Sequence, residues 1–292
     1  MGITRVLRWR LLLGTIFVTA LVGLCWLDAS SEVPGAWLFP LAMVLAALAT
    51  GEVLWLLAAQ DLRPLPWVTY AGTLLVVGSN APAVYWREMP VDCPLGKLGY
   101  PLLALAVGVI VAFVGEMRRY EKPGGVIVNV ALSIFAMCYV GLLLSFVIQL
   151  PLIGDSGQHV VPLATILVAV KMADIGAYTV GRLIGRHKMA PVLSPGKTWE
   201  GAAGGVVFAC AGVWGLLHWL RPETPLWICL LLGGVLGIVG MLGDLAESLF
   251  KRDMGRKDSS AYLPGFGGVL DLLDSILIAA PVGYFLWIAL MH

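Results

Sequence analysis

Charge is scarce in this sequence. Only 13% of the 292 residues are Asp, Glu, Lys or Arg, about half the share usual in soluble domains. With 59% hydrophobic residues and a mean hydropathy of +0.89, an ordinary water-soluble domain is excluded. The net charge is only +1, so no overall basic field points to nucleic acid. Paired cysteines are missing as well. Cys25, Cys93, Cys138, Cys210 and Cys229 are scattered without a CxxC motif, and they read as small apolar side chains, not as metal ligands or disulfides. No repeat or low-complexity stretch stands out, and no soluble domain of useful size fits between the apolar runs.

Apolar runs dominate what remains. A bilayer core requires about 20 mostly apolar residues per helix. Nine stretches qualify: 10–27, 36–59, 67–86, 98–116, 124–148, 160–183, 200–220, 226–250 and 268–291. The third is the weakest, because Gly78, Ser79, Asn80 and Pro82 interrupt it. The basic, then apolar N-terminus mimics a signal peptide, but no clear small-residue cleavage site follows, so it reads as a retained first helix. Eleven Trp and eight Tyr suit rings at membrane interfaces.

The basic residues orient this arrangement. With the N-terminus inside, the inner segments hold Arg5, Arg8, Arg10, Arg63, Arg118, Arg119, Lys122, Arg182, Arg186, Lys188, Lys197, Lys251, Arg252, Arg256 and Lys257. The outer loops hold only Arg87, Lys97 and Arg221, and Lys171 lies within a span. Such a bias predicts an all-α integral membrane protein of about nine transmembrane helices, with its N-terminus cytoplasmic and its C-terminus outside. The first four helices, 1–123, read as packing and lipid-facing elements. Residues 124–292 read as the catalytic half, with unusually polar inner loops at 182–200 and 251–267.

Two constellations fall in that half. In the sixth span, Lys171 and Asp174 are three residues apart and share a helix face. Charges inside a span usually face the protein interior or water. Gly176, Gly181 and Gly185 follow at spacings that suit close helix packing. Ser194-Pro195-Gly196-Lys197-Thr198 reads as a tight, donor-rich turn leading into the seventh span, with Glu200 in its first turn. Backbone N–H groups there, with Lys197, would cradle phosphate. The plainer alternative is helix capping by Thr198 or Ser194, with Glu200 favoured by the helix dipole. A Walker A loop is rejected: the upstream Gly is missing and no strand is expected to precede the motif.

In the second constellation, Asp244, Glu247, Ser248 and Lys251 lie on one helical stripe. Carboxylates near a bilayer need a compensating cation. Mg²⁺ would serve, because it binds through one or two carboxylates plus phosphates and water. Arg252, Asp253, Arg256, Lys257 and Asp258 follow, then Gly265, Gly267 and Gly268, and finally Asp271 and Asp274 on one face of the ninth span. Membrane orientation and anionic lipids account for the basic residues. They leave the carboxylates unexplained, apart from a structural Lys–Asp network.

These residues resemble a known family. SLFKRDMGRKDSSAYLPGFGGVLDLLD, residues 248–274, is similar to the signature of phosphatidate cytidylyltransferases, the CDP-diacylglycerol synthases. Ser248, Lys251, Arg252, Lys257, Asp258, Pro264, Gly267, Gly268, Asp271 and Asp274 are in register, and Gly243-Asp244 and Glu247 match just before them. Asp174, Gly176-Ala177-Tyr178, Gly181 and Gly185 resemble the family's glycine-rich helix. Ser194-Pro195, Lys197-Thr198 and Glu200-Gly201 resemble its upstream loop. The resemblance is strong from about residue 165 to 292. Three positions depart from the pattern: Phe266 for a His, Leu272 for an Arg and Gly196 for a Lys.

The resemblance implies CTP + phosphatidate → CDP-diacylglycerol + pyrophosphate. It gives catalytic roles to Asp174, Asp244, Lys251, Lys257 and Asp271. Ser194, Lys197, Thr198, Glu200, Ser248, Arg252, Asp258, Gly267 and Gly268 would bind substrate. Asp244, Asp271, Glu247 and Asp274 would form the Mg²⁺ shell, with a monovalent cation as the candidate second ion. Membrane lipids and a second copy of the chain, as a homodimer, are the implied partners, with no nucleic acid. The implied location is the bacterial inner membrane, with the site facing the cytoplasm. Alternatives left open are another lipid phosphate such as an isoprenoid phosphate, a catalytically weakened relative, and an ion transporter using Lys171, Asp174 and Asp244.

Overall fold

The computed structural model describes residues 3–86, 96–155, 157–260 and 267–291. Cys93, Arg87, Pro264, Gly265 and Phe266 lie outside the described residues. The chain divides into two compact units. One comprises Met1–Leu152 with Met254–Leu272, and the other Ile153–Asp253 with Leu273–His292. This division differs from a boundary at residue 123: the stretch carrying Lys257, Asp258, Gly267, Gly268 and Asp271 groups with the N-terminal helices.

The first unit is built from α1 (Ile3–Ala29), α2 (Leu38–Ala58), α3 (Pro66–Gly78), α4 (Ala81–Tyr85), α5 (Gly96–Arg118), α6 (Val126–Ala136) and α7 (Leu143–Gln149). A π-helical turn, Met137–Leu142, joins α6 to α7 in one continuous rod. Val68, Ala112, Val130 and Met137 form a core between α3, α5 and this rod. The interrupted third span is indeed broken between α3 and α4. An amide solves the problem this creates: Asn80 Nδ2 donates to Val77 O at 2.9 Å and to Ser145 Oγ at 2.9 Å, and Gln149 Nε2 donates to Asn80 Oδ1 at 2.8 Å. Helix breaks in an apolar setting persist only where side chains satisfy the freed backbone in this way.

The second unit contains α8 (Val161–Ile184), a hairpin of β1 (Lys188–Ala190) and β2 (Ser194–Thr198), α9 (Trp199–Leu220), α10 (Leu226–Asp253) and most of α11 (Leu270–Met291). The antiparallel register pairs Lys188 with Thr198 and Ala190 with Ser194. The hairpin corrects two expectations. Pro195 and Gly196 lie within β2 and do not form a tight bend, and the polar 182–200 loop carries strands in an otherwise helical chain. A two-stranded ribbon leaves one edge of β2 unpaired, which accommodates the missing N–H of Pro195.

Small residues let the helices of this unit approach closely. A Cβ on Gly233 of α10 would stand 2.5 Å from Cys210 Cα and 2.8 Å from Ala209 O of α9. A Cβ on Gly176 of α8 would meet Phe208 Cβ at 2.6 Å and Gly204 O at 2.7 Å, which is the packing role expected from its spacing.

Among the described residues, seven helices are long and apolar enough to cross a membrane: α2, α5, the α6–α7 rod, α8, α9, α10 and α11. Only a shorter apolar helix, Gly14–Ala29, represents the first expected span, and the third is split into α3 and α4. The chain is an all-α integral membrane protein in its main architecture. Its 28-residue α10 measures about 42 Å, beyond the ~30 Å of a hydrocarbon core. This length exceeds what an apolar layer requires, and the polar residues Lys251 and Arg252 gather at the helix's C-terminal end.

Replacing Gly233 by Val forces backbone apart and should cost about 1–3 kcal/mol. Thermal unfolding in detergent should show a midpoint lower by several degrees. Gly215→Ala, at a glycine with nothing within 4 Å of the added carbon, should leave the midpoint unchanged.

Candidate active site

Within the second unit, charged side chains from four elements collect in one place. β2 carries Lys197, whose Nζ lies 2.8 Å from Asp244 Oδ2 of α10. Ser248, one turn further along α10, donates to Asp244 Oδ1 at 3.4 Å. Lys171 Nζ stands 3.4 Å from Asp174 Oδ2 on α8. Asp244 interacts electrostatically with Asp174 and with Asp274 of α11, and Lys197 and Lys171 act on Asp174 as well. Asp244, Asp174 and Asp274 therefore form one electrostatic cluster with two lysines. The close approach of α10 and α11 depends on Gly243, where a Cβ would lie 2.8 Å from both Asp274 O and Ser275 Cα.

The hairpin is held by its neighbours. Thr198 caps α9, accepting the Gly201 N–H at 3.1 Å. This is the capping alternative, and it leaves Ser194 half-buried in β2. Glu200 accepts the backbone N–H groups of Arg186 at 3.0 Å and His187 at 3.2 Å, and its Oε1 contacts His187 Nδ1 at 2.5 Å. Its oxygens thus fold the turn after α8. Arg252 Nε reaches Leu193 O, at 3.4 Å, between the two strands. Lys197 gains a fixed direction from this framework.

The α10 stripe resolves into two separate pairs. Asp244 meets Ser248, while Glu247 pairs with Lys251 at 2.7 Å. The Glu247 and Lys251 side chains are 1% and 11% exposed, against 35% for Asp244. Glu247 and Lys251 compensate each other inside the protein, whereas Asp244 keeps access to solvent.

In the first unit, Asp271 Oδ2 accepts from Gly268 N at 2.7 Å, Ser259 Oγ at 2.6 Å and Ser259 N at 3.1 Å. Gly267 has φ +91°, a left-handed conformation that favours glycine. Lys257 and Asp258 are exposed. One participant was not singled out from the sequence. Glu52 of α2 is 1% exposed and bonds the segment that leads to Asp271. The available signal was a single carboxylate in an otherwise uncharged span, which is unusual in itself.

Among the described residues, no three His, Cys, Asp or Glu side chains gather closely enough to enclose a metal ion by themselves. Mg²⁺ does not require such a cage. It keeps several waters and binds through one or two carboxylates with substrate phosphates. Asp244, beside Lys197, and Asp274, on which Asp244 acts electrostatically, suit that donor set.

Comparison with known proteins identifies the fold's lineage. The sequence model described as "Cytidylyltransferase family" matches residues 5–290. The chain belongs to the cytidylyltransferase family. A phosphatidate cytidylyltransferase of Mycobacterium bovis is 32% identical over 96% of this chain and 89% of its own length. Its Mycobacterium tuberculosis counterpart is 32% identical over 96% of this chain and 83% of its own. That of Staphylococcus saprophyticus is 36% identical over 53% of this chain and 57% of its own. Of the three departures from the cytidylyltransferase pattern, Gly196 has nothing within 4 Å of an added Cβ, so its loss of a side chain relieves no crowding. Leu272 is half-buried near the start of α11.

The buried pair of this cytidylyltransferase gives a stability test. Removing one partner of a buried ion pair costs about 3–5 kcal/mol, whereas replacing both with apolar groups can be nearly neutral. Lys251→Met should therefore lower the unfolding midpoint more than the double change Glu247→Leu with Lys251→Met, measured by thermal unfolding in the same detergent.

Proposed function

We propose that this chain is an Mg²⁺-dependent phosphatidate cytidylyltransferase. It transfers CMP from CTP to phosphatidate, yielding CDP-diacylglycerol and pyrophosphate. The observation that carries this reading is the cluster of Asp174, Asp244 and Asp274 with Lys171 and Lys197 in an otherwise apolar helical unit. The mycobacterial relatives named phosphatidate cytidylyltransferase, matched over 96% of this chain, support the substrates.

A phosphate oxygen of the lipid forms a bond to the α-phosphorus of CTP. The bond from that phosphorus to the bridging oxygen breaks, and pyrophosphate leaves with the electron pair. The nucleophile is already an anion, so no general base is needed. The protein's contribution is positioning and charge neutralisation. Lys197, fixed by the hairpin, would hold phosphate oxygens, and Arg252 of the same unit would supply further positive charge. Asp174 holds Lys171 in place. Asp244 and Asp274 would hold Mg²⁺, with Ser248 beside Asp244; Glu247, of the expected shell, pairs with Lys251 instead, and Asp271 keeps the catalytic role that the resemblance implies. When bound, such an ion would supply neutralisation of phosphate charge.

In this reading the chain crosses a bacterial inner membrane nine times, with α1 and the α3–α4 segment as the two irregular crossings. Its N-terminus and polar loops face the cytoplasm, where CTP is found. It pairs as a homodimer, and a monovalent cation accompanies Mg²⁺.

The protein purified in detergent should release pyrophosphate only when CTP, phosphatidate and Mg²⁺ are all present, and chelation by EDTA should stop release. Asp244→Ala should lower kcat by on the order of a hundredfold. Absence of turnover across phosphatidates and isoprenoid phosphates would defeat the enzyme assignment. Ion flux in liposomes without CTP would favour a transporter.

A further inference from the structure

Glu52 lies in the C-terminal half of α2, far in sequence from every residue of the family signature, yet its carboxylate is engaged by that segment. Oε1 accepts from Ser260 Oγ at 2.7 Å and from Val269 N at 2.9 Å. Oε2 accepts from Ser259 Oγ at 3.0 Å and from Leu270 N at 2.8 Å. A carboxylate offers about four acceptor positions, and four donor groups face them here, the Ser259 hydroxyl being shared with Asp271. Two are hydroxyls at the start of the segment, directly after Lys257 and Asp258. The other two are N–H groups where α11 begins. One side chain from a distant helix thus ties both ends of the segment together and caps α11.

The same network includes Asp271. Ser259 Oγ lies 2.6 Å from Asp271 Oδ2 as well as 3.0 Å from Glu52. Its single hydroxyl hydrogen serves one carboxylate at a time. Gly268 completes the arrangement: a Cβ there would collide with both Ser259 Oγ and the Glu52 carboxylate, so the glycine leaves the space that the carboxylate fills.

We propose that Glu52 is a positioning residue for nucleotidyl transfer: by bonding Ser259, Ser260, Val269 and Leu270, it sets the Gly267–Gly268 turn and aims Asp271. The proposal rests on the cytidylyltransferase reading for its effect on rate, and on geometry alone for its effect on the backbone. Glutamine in place of Glu52 keeps the size but turns one oxygen into a donor, which faces donors it cannot satisfy.

The test uses full-length protein in detergent with Glu52→Gln and Ser260→Ala. Hydrogen exchange at the Val269 and Leu270 amides should quicken at least tenfold in Glu52→Gln, and unchanged exchange overturns the proposal whether or not the wild type turns over. In a wild type that turns over, Glu52→Gln should lower kcat by on the order of tenfold while KM for CTP changes less than about threefold. A folded variant with unchanged kcat, or one with raised KM alone, overturns the proposal while leaving the function of the wild type standing. Should Glu52→Gln fail to fold, Ser260→Ala decides. It removes one of the four donors and should quicken Val269 exchange and lower kcat about threefold; indifference in both overturns the proposal. Wild type without turnover defeats the enzymatic reading instead.

Discussion

A carboxylate among apolar helices must be given donors or a cation. In this protein that requirement is met in three ways. Glu247 takes the Lys251 ammonium along one helix, both side chains buried. Glu52 takes four hydroxyl and amide donors from a segment more than two hundred residues away in sequence. Asp244 pairs with Lys197 yet remains partly exposed, beside Asp274 and Asp174. The first two solutions are closed and build structure. The third leaves a carboxylate accessible among negative neighbours, where the first two are enclosed.

The lysine–carboxylate cluster rests on plain helix geometry. Gly243 lets α10 approach the Asp274–Ser275 backbone of α11. The hairpin, closed by Thr198 at the start of α9 and by Glu200 at the end of α8, directs Lys197 toward α10. Residues that a pattern match would group as substrate contacts thus divide by task. Thr198 and Glu200 shape the frame, and Lys197 projects from it. The open surroundings of Gly196 are consistent with that division, since a missing side chain there removes charge without disturbing the frame.

Much of this was legible in the sequence, because apolar length and local spacing carry it. The long runs gave α2, α5 and α8 to α11 nearly in place, and the i,i+3 and i,i+4 spacings anticipated the Lys171–Asp174 and Asp244–Ser248 contacts. The hairpin was missed. Pro195-Gly196 is a turn signal taken alone, and only pairing with Lys188–Ala190 makes it a strand. The single stripe on α10 also divided, since spacing alone does not tell which pairs of neighbours bond. Glu52 was missed for a deeper reason. Its donors are backbone amides and serines, which leave no distinctive pattern at such separation, and only a lone acid in an apolar run marked it.

The break between α3 and α4 bears on how the chain enters a membrane. Asn80 answers its own helix carbonyls, but the groups that complete its bonding, Ser145 and Gln149, are made 65 and 69 residues later. A nascent segment carrying this amide gains its full set of partners only once α7 is synthesised. The bonding of the broken span is therefore completed by the later rod and not by its own neighbours in sequence.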